Sequence, residues 1–272
     1  MARRTTPTGH ATRGTTGTNR LRRVDRWIAA RREFTTATNP LVVDLGFGAS
    51  GVTAFELYAR LVKVNAGTEV LGVEIDADRV ARATQQLAEV RAGTTTFPAD
   101  ARVSFAKGGF ETPTARAPRI IRAFNVLRQY DEADVAAAWA LMAHRLEPGG
   151  LLVEGTCDEI GRVSSWIDID PTATPLRLTV SLRLAGLESP SIVAERLPKA
   201  LIHHNVPGQR VHAYLAALDD AWERSAPLGT FGPVQRWLAT VRAVKDAGWP
   251  VQGTASRWRL GEVTVDWTAV AP

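Results

Sequence analysis

PLVVDLGFGASGVTAFELYARLVKVNAGTEVLGVEID, residues 40–76, carries the strongest structural signal in the chain. It begins with an apolar segment, Leu41 to Leu45, that leads into the glycine-rich turn GFGASG at residues 46–51. A helical segment follows, and a second apolar segment, Val70 to Val73, ends in Glu74. This order predicts a βαβ unit with a glycine-rich first turn and a carboxylate at the tip of the second strand.

The glycine-rich turn and Glu74 together predict a site for an adenosine-containing cofactor. Glycines let backbone N–H groups approach a ligand, and a carboxylate at this place accepts hydrogen bonds from ribose hydroxyls. The turn also satisfies the G-x-G-x-x-G pattern of dinucleotide sites, so NAD or FAD is one interpretation. Asp44 favours another, because a carboxylate two residues before Gly46 suits the ammonium of an amino-acid ligand better than it suits a pyrophosphate.

Four short motifs stand in order between residues 40 and 158. They read Asp44-Leu45-Gly46-Phe47-Gly48, Gly72-Val73-Glu74, Asn125-Val126-Leu127 and Leu146-Glu147-Pro148-Gly149-Gly150-Leu151. In this order they resemble the motifs of the class I S-adenosylmethionine (SAM)-dependent methyltransferases, although Ser50 replaces a third glycine. The resemblance implies an α/β fold with a Rossmann-like, mostly parallel seven-stranded sheet and helices on both faces. It also implies SAM as the cofactor and methyl transfer as the activity.

The resemblance assigns the cofactor to the ends of four predicted strands. Asp44 is expected near the methionine ammonium, and Glu74 is expected at the ribose. The family often carries an acid for the adenine amine after the third strand. This chain has Gly109-Phe110 there, so a backbone contact and stacking by Phe110 are expected. The expected cofactor-binding residues are Asp44, Gly46, Phe47, Gly48, Glu74, Ile75, Gly109, Phe110 and Asn125.

Methyl transfer from a sulfonium requires alignment of the nucleophile with the methyl group, and it requires a general base only when the acceptor is protonated. The sequence therefore marks no obligatory catalytic residue. Amino-methylating members of the family often carry Asn-Pro-Pro-Tyr or Asp-Pro-Pro-Tyr after the fourth strand. Residues 125–130 read NVLRQY instead, which favours a small-molecule acceptor over adenine or glutamine. Arg128 and Tyr130 are acceptor-side candidates, and packing or capping of the next helix is the alternative role.

The adjacent histidines His203 and His204 are the other acceptor-side candidates, one of them as a general base. On a strand they would point to opposite sides, so both would not serve one metal ion. The chain has one cysteine, Cys157, and no His-x-x-x-His pair. No metal site is therefore expected, and an ordinary surface or core histidine is the alternative interpretation.

The positive charge of the 272-residue chain is concentrated at its beginning. Residues 1–32 hold nine arginines and one acid, a balance of +8, whereas the whole chain carries +5. An arginine-rich arm fits nucleic acid or an acidic surface, and a solubilising tail is the alternative. No apolar run is long enough for a transmembrane helix, and no secretory signal is recognised. A cytoplasmic protein that does not bind membranes is expected, and the oligomeric state is left open.

Changes in composition and periodicity predict three regions. Residues 1–18 form a basic, disordered arm. Residues 19–184 form the SAM-binding domain, in which segments 163–170 and 176–184 close the sheet as an antiparallel hairpin. Residues 185–272 form a mainly helical C-terminal extension of unknown role that packs on this domain, with helices over 210–223 and 232–248 and a last strand within 257–267.

Four functions follow from these patterns. A methyltransferase that acts on a small molecule is favoured. A methyltransferase for RNA or a ribosomal protein would use the basic arm. An NAD(P)-dependent oxidoreductase would use GFGASG as its dinucleotide loop, and a non-catalytic protein with this fold would bind SAM without turnover.

Overall fold

The computed structural model describes residues 7–11, 14 and 17–272. Within these residues nine strands form a single sheet. The strands are β1 Leu41–Leu45, β2 Glu69–Glu74, β3 Val103–Lys107, β4 Ile120–Phe124, β5 Leu151–Cys157, β6 Val163–Ile169, β7 Pro175–Leu182, β8 Val251–Gln252 and β9 Glu262–Asp266.

The sheet has the order β3-β2-β1-β4-β5-β6-β7-β9-β8. Neighbouring strands are parallel from β3 to β5, and all later pairings are antiparallel. The prediction of seven mostly parallel strands is corrected to nine strands in a mixed sheet. The two additional strands, β8 and β9, belong to the C-terminal residues. β5 and β6 pair antiparallel because the short segment 158–162 between them cannot hold the crossover helix that a parallel pairing needs.

The strand order reverses direction between β1 and β4. The chain runs outward from β1 to β2 and β3, and it then returns to pair β4 on the other side of β1. In open α/β sheets, ligands bind in the crevice outside the carboxyl ends of the strands at such a switch point. The residues that follow β1 and β4 are therefore the expected location of a ligand site.

Helices cover both faces of the sheet, as predicted. One buried core contains side chains of α1, α3 and α4, and the other contains side chains of α5, α7 and α8. The helices are α1 Arg22–Ala29, α2 Arg32–Thr35, α3 Val52–Leu61, α4 Ala77–Arg91, α5 Glu132–Ala143, α6 Lys199–Ile202, α7 Arg210–Arg224, α8 Pro233–Asp246 and α9 Ala255–Trp258. No helix in the described part of the chain is long and apolar enough to cross a membrane.

β4 ends at Phe124, directly before the NVLRQY segment, because Asn125 adopts a left-handed φ of 59°. Two later segments differ from their predictions. The segment around His203 is the end of α6 and not a strand. The last alternating segment, 257–267, is divided between α9 and β9, and β8 pairs outside β9 at the sheet edge.

The C-terminal residues 185–272 share the sheet and the core of the preceding residues. β9 pairs antiparallel with β7, and Val263 of β9 lies in the same buried cluster as Leu178 of β7. Part of the predicted disordered arm, residues 1–6, 12, 13, 15 and 16, lies outside the described residues. Thr8 and Gly14 of the same arm form backbone hydrogen bonds with Phe110 and Ala49.

Candidate functional site

The carboxyl ends of β1, β4 and β5 open into a cavity of about 590 Å³, which we call the main cavity. Six of the predicted site residues line it. They are Asp44, Gly46, Phe47, Gly48, Asn125 and Arg128. A volume of this size lies within the range of small-molecule and cofactor sites, about 300–1,000 Å³. The sequence motifs at the ends of two neighbouring strands thus meet in one place.

The glycine-rich turn has the backbone conformation that its sequence predicts. Gly46 and Gly48 adopt φ values of +70° and +84°, which residues with a Cβ atom rarely adopt. A Cβ atom on Gly46 would also lie 2.6 Å from a methyl group of Val126. The turn is held in place because Gly46 N donates to the carbonyl of Val73 at 2.8 Å, and Gly48 N donates to the Glu74 carboxylate at 3.0 Å.

Asp44 lies at the wall of the main cavity, and a buried arginine pairs with it. Arg122 of β4 places Nη2 2.7 Å from Asp44 Oδ2, and its Nε donates to Oδ1 at 3.1 Å. The hydroxyl of Thr53 donates to Oδ2 at 2.7 Å. These three contacts fix the direction of the carboxylate. They leave room for a further donor, because an ionised carboxylate has about four acceptor positions.

Arg122 belongs to a buried chain of alternating charges that starts at Asp44. Its other Nη atom contacts Asp25, whose carboxylate also lies 2.6 Å from Arg60, and Arg60 contacts Glu56 at 3.2 Å. Burial raises the pKa of Asp25, whereas the two aspartates raise the pKa of Arg122 above its ordinary value. With all groups ionised, these five residues contribute three carboxylates and two guanidinium groups, so together they carry a net charge of −1.

Glu74 lies at the tip of β2 and faces the glycine-rich turn. Besides Gly48 N, its carboxylate accepts the backbone N–H of Ile75 at 3.0 Å, and Arg79 lies 3.7 Å away. The side chain is 2% exposed. Glu74 and Ile75 line a second, small cavity of about 20 Å³, which we call the side cavity.

The side cavity is small because the N-terminal arm fills the space between the exits of β3 and β4. Phe110 N donates to the carbonyl of Thr8 at 2.9 Å. The ring of His10 stacks on Tyr130, with centroids 4.9 Å apart, and His10 N donates to the Tyr130 hydroxyl. Gly109, Phe110 and Tyr130 are thus brought together, but they are covered by the chain's own residues.

Glu111 attaches the arm to the exit of β3. Its carboxylate accepts the N–H of Thr8 at 2.8 Å and the N–H of Gly109 at 2.8 Å. The sequence has Gly109-Phe110 where the family often carries an acid. Glu111 follows two residues after Gly109, and its carboxylate binds backbone amides.

Arg128 and Tyr130 are separated although they are close in sequence. A 3₁₀ turn at Leu127–Gln129 follows β4. Arg128 lines the main cavity, and Tyr130 lines the side cavity. Burial raises the pKa of the Tyr130 phenol, so its proton is held more firmly than usual.

Asn125 forms part of the wall between β4 and β5. Its Oδ1 accepts the N–H of Cys157 at 2.9 Å, and its Nδ2 donates to Cys157 Sγ at 3.3 Å. Burial raises the pKa of the Cys157 thiol, which disfavours the nucleophilic thiolate. The cysteine is buried, and its side chain belongs to one of the two hydrophobic cores.

His203 and His204 do not line either cavity among the described residues. Both contact the carboxylate of Glu132 at the start of α5, at 2.7 Å and 2.6 Å. The expectation that they point to opposite sides is wrong, because they follow a helical turn instead of lying on a strand. In the described part of the chain, no group of three or more His, Cys, Asp or Glu residues has an arrangement that could hold a metal ion.

Four charged residues in or next to the main cavity were not identified from the sequence. Arg122 interrupts the apolar segment IIRAF, which was a usable signal, because a charged residue inside a buried strand needs a partner. Arg20, Glu159 and Arg196 line the main cavity from three separate segments, and no local pattern marks them.

No protein-family model matches this chain, and no curated protein sequence matches it. Solved structures match over about half of it. The magnesium protoporphyrin IX methyltransferase of Synechocystis PCC 6803, with bound S-adenosylhomocysteine (SAH), is 20% identical over 50% of this chain and 54% of its own, with a TM-score of 0.38. A protein of Methanococcus maripaludis that has been assigned provisionally as a SAM-dependent methyltransferase is 17% identical over 52% of this chain and 56% of its own, with a TM-score of 0.38.

Human N-acetylserotonin methyltransferase in complex with SAM is 20% identical over 51% of this chain and 35% of its own, with a TM-score of 0.35. The three proteins are named as methyltransferases, the family whose motifs this sequence resembles. The chain covers little more than half of the first of them.

Proposed function

We propose that this chain is a SAM-dependent methyltransferase that transfers a methyl group to a small molecule. The observation that carries the proposal is the buried series of ion pairs from Glu56 to Asp44, which ends at the wall of the main cavity and carries a net charge of −1 when all of its groups are ionised. An ammonium group of a ligand at Asp44 neutralises this charge and uses the acceptor position that Arg122 and Thr53 leave available.

The remaining residues of the site fit the other parts of this cofactor. Gly46 and Gly48 let the ligand approach the backbone closely, and Glu74 offers a carboxylate for ribose hydroxyls at the tip of β2. SAM supplies an activated methyl group when bound. The protein's contribution is to hold the acceptor in line with that methyl group and to exclude water, so no general base is required when the acceptor is already nucleophilic.

A dinucleotide cofactor is less well supported. In such sites the backbone N–H groups of the glycine-rich turn bind the pyrophosphate. Here Gly48 N donates to Glu74, Ala49 N donates to the carbonyl of Gly14, and Gly51 N donates to Gln86 Oε1 at 2.9 Å. A pyrophosphate would have to replace these acceptors and would also face Asp44.

A small-molecule acceptor is supported by the volume of the main cavity beside Arg128 and by the NVLRQY sequence after β4. A methyltransferase for RNA or a ribosomal protein would depend on the basic arm. Of that arm, residues 1–6, 12, 13, 15 and 16 lie outside the described part of the chain.

The test compares two nucleosides that differ in the amino-acid portion. SAH and 5′-methylthioadenosine share the adenosine and the sulfur, but the second has no ammonium group. We expect SAH to bind at least tenfold more tightly, and we expect Asp44→Asn to reduce this difference. Asp134→Asn on the exposed surface of α5 is the matched control and leaves the difference unchanged. Equal affinity of the two nucleosides for the unmodified protein would contradict the proposed role of Asp44.

A further inference from the structure

Three arginines line the main cavity together with Asp44. Arg20 precedes α1, Arg128 follows β4, and Arg196 ends a 3₁₀ helix in the C-terminal residues. Glu159, from the segment after β5, is the acid that faces them. Residues from four separate segments of the chain therefore form one strongly charged wall.

The positive charge of this wall exceeds its negative charge. Arg20 Nε donates to the carbonyl of Asp158 at 2.9 Å, and Arg128 Nη1 donates to the carbonyl of Glu195 at 2.9 Å. Such carbonyl contacts orient a guanidinium group without cancelling its charge. Arg196 lies 3.5 Å from Glu159, whose side chain is 74% exposed. The described residues that line the main cavity therefore include three arginines and two carboxylates, those of Asp44 and Glu159.

Arg196 is held firmly in position. The hydroxyls of Thr156 and Ser165, both buried, donate to its backbone carbonyl at 2.5 Å each. Its side-chain Nε is also buried and has no hydrogen-bond partner among the described residues. Nε itself has no accessible surface, but the side chain lines the main cavity and is 23% exposed, so an acceptor in the cavity can reach its other N–H groups.

Arg128 is affected by the same surroundings. Its pKa is lowered by burial and by the nearby charge of Arg196. Two guanidinium groups at the wall of a cavity repel each other, and an anion that binds near both of them lowers their electrostatic energy.

We infer that the methyl acceptor carries an oxyanion, a carboxylate or a phosphate, and that Arg128 and Arg196 bind it while its nucleophilic atom faces the cofactor. This inference rests on the proposed methyltransferase function. It also gives the C-terminal residues a role, because they supply Arg196 to the acceptor site. The oxyanion is a positioning group, and the methyl group is transferred to another atom of the same molecule.

The test uses three small probes in a buffer of low chloride concentration: benzoate, inorganic phosphate and the neutral benzamide. Each is titrated calorimetrically into the protein with and without SAH. We expect benzoate or phosphate to bind and benzamide not to bind, and the anion that binds identifies the acidic group. We expect Arg196→Met and Arg128→Met each to weaken anion binding at least tenfold, which corresponds to about 1.4 kcal/mol.

Arg224→Met, an exposed arginine at the end of α7, is the matched control and leaves anion binding unchanged. Circular dichroism shows whether each variant is folded, and if Arg196→Met does not fold, Arg128→Met decides alone. Binding of SAH without any preference for the anions would overturn the acceptor inference alone. Arginine-dependent binding of an anion without any binding of SAH would overturn the proposed function and leave the anion site standing. Equal loss of anion binding in Arg224→Met would also overturn the inference.

Discussion

The guanidinium group of Arg122 on β4 lies 2.7 Å from the carboxylate of Asp44 on β1, and both side chains are buried below the main cavity. The two strands are direct neighbours at the switch point of the sheet, and Asp44 and Arg122 occupy the same position in their register. The same guanidinium group also contacts Asp25 in α1. The side chain of Arg122 thus links the wall of the main cavity, the central strands and the first helix.

Removal of Arg122 should destabilise the fold severely. In Arg122→Met, the carboxylates of Asp25 and Asp44 lose their shared buried cation, and we expect the free energy of unfolding to fall by about 3–5 kcal/mol. Urea denaturation followed by circular dichroism measures this change. The control is Arg116→Met, which breaks an exposed pair with Glu69 and should cost less than about 1 kcal/mol. Equal losses in the two variants would contradict the expectation that the buried ion pair contributes more to stability than the exposed one.

Glu74 should contribute to cofactor affinity. Glu74→Ala removes the acceptor proposed for the ribose hydroxyls, and we expect SAH to bind at least tenfold more weakly, as for the loss of a charge-assisted hydrogen bond. Glu69→Ala, at the opposite end of the same strand, provides the comparison and should leave the affinity unchanged. An unaltered affinity in Glu74→Ala would refute the ribose assignment.

The N-terminal arm should compete with the cofactor. A side cavity of about 20 Å³ cannot accept an adenine ring while Thr8 and His10 lie against Phe110 and Tyr130. We therefore expect deletion of residues 1–11 to tighten SAH binding several-fold. Thr8→Pro, which removes the N–H that binds Glu111, should act in the same direction. A tenfold loss of affinity on deletion would mean that the arm closes over the bound cofactor instead.

Glu154 should make the stability of the protein depend on pH. It is fully buried on β5, neither carboxylate oxygen has a well-formed hydrogen bond among the described residues, and burial raises its pKa to about 8 against a weaker, opposing effect of the Trp139 N–H. A raised pKa stabilises the protonated folded state, so this contribution is complete below the ordinary pKa of 4.5 and is lost as the pH rises through about 8.

We expect Glu154→Gln to remove this loss, with a gain of a few kcal/mol at pH 9 and little change at pH 4, since one pKa unit corresponds to about 1.4 kcal/mol. Urea denaturation at both pH values provides the measurement. Glu89→Gln on the exposed surface of α4 is the control. A gain of the same size at both pH values would show that the carboxyl group does not titrate in this range.

The βαβ unit was predictable from sequence because its signals are local. The apolar strands and the glycines at 46 and 48 depend on residues within one short segment. At the end of this segment Asp76 caps α4, because its carboxylate accepts the N–H groups of Asp78 and Arg79. The meeting of Asp44 with Asn125 in one cavity followed from the parallel arrangement of their strands.

The remaining features depend on contacts between residues far apart in sequence. Asp25, Asp44 and Arg122 form one network, but neither periodicity nor spacing indicates which helix side chain packs over which strand. The arm over Phe110 is a second example, because a polar segment with few apolar residues gives no signal for where it docks. His203 and His204 were assigned to a strand, and the helical turn that brings both to Glu132 depends on how α6 packs beside α5.

The most direct test of the proposed cofactor is calorimetric titration of the purified protein with SAH, NADH and NADPH under the same conditions. The proposed site predicts micromolar binding of SAH with no detectable binding of either nicotinamide cofactor. Binding of NADH or NADPH alone would contradict the assignment of Asp44 to an ammonium group, and it would identify the glycine-rich turn as a pyrophosphate site.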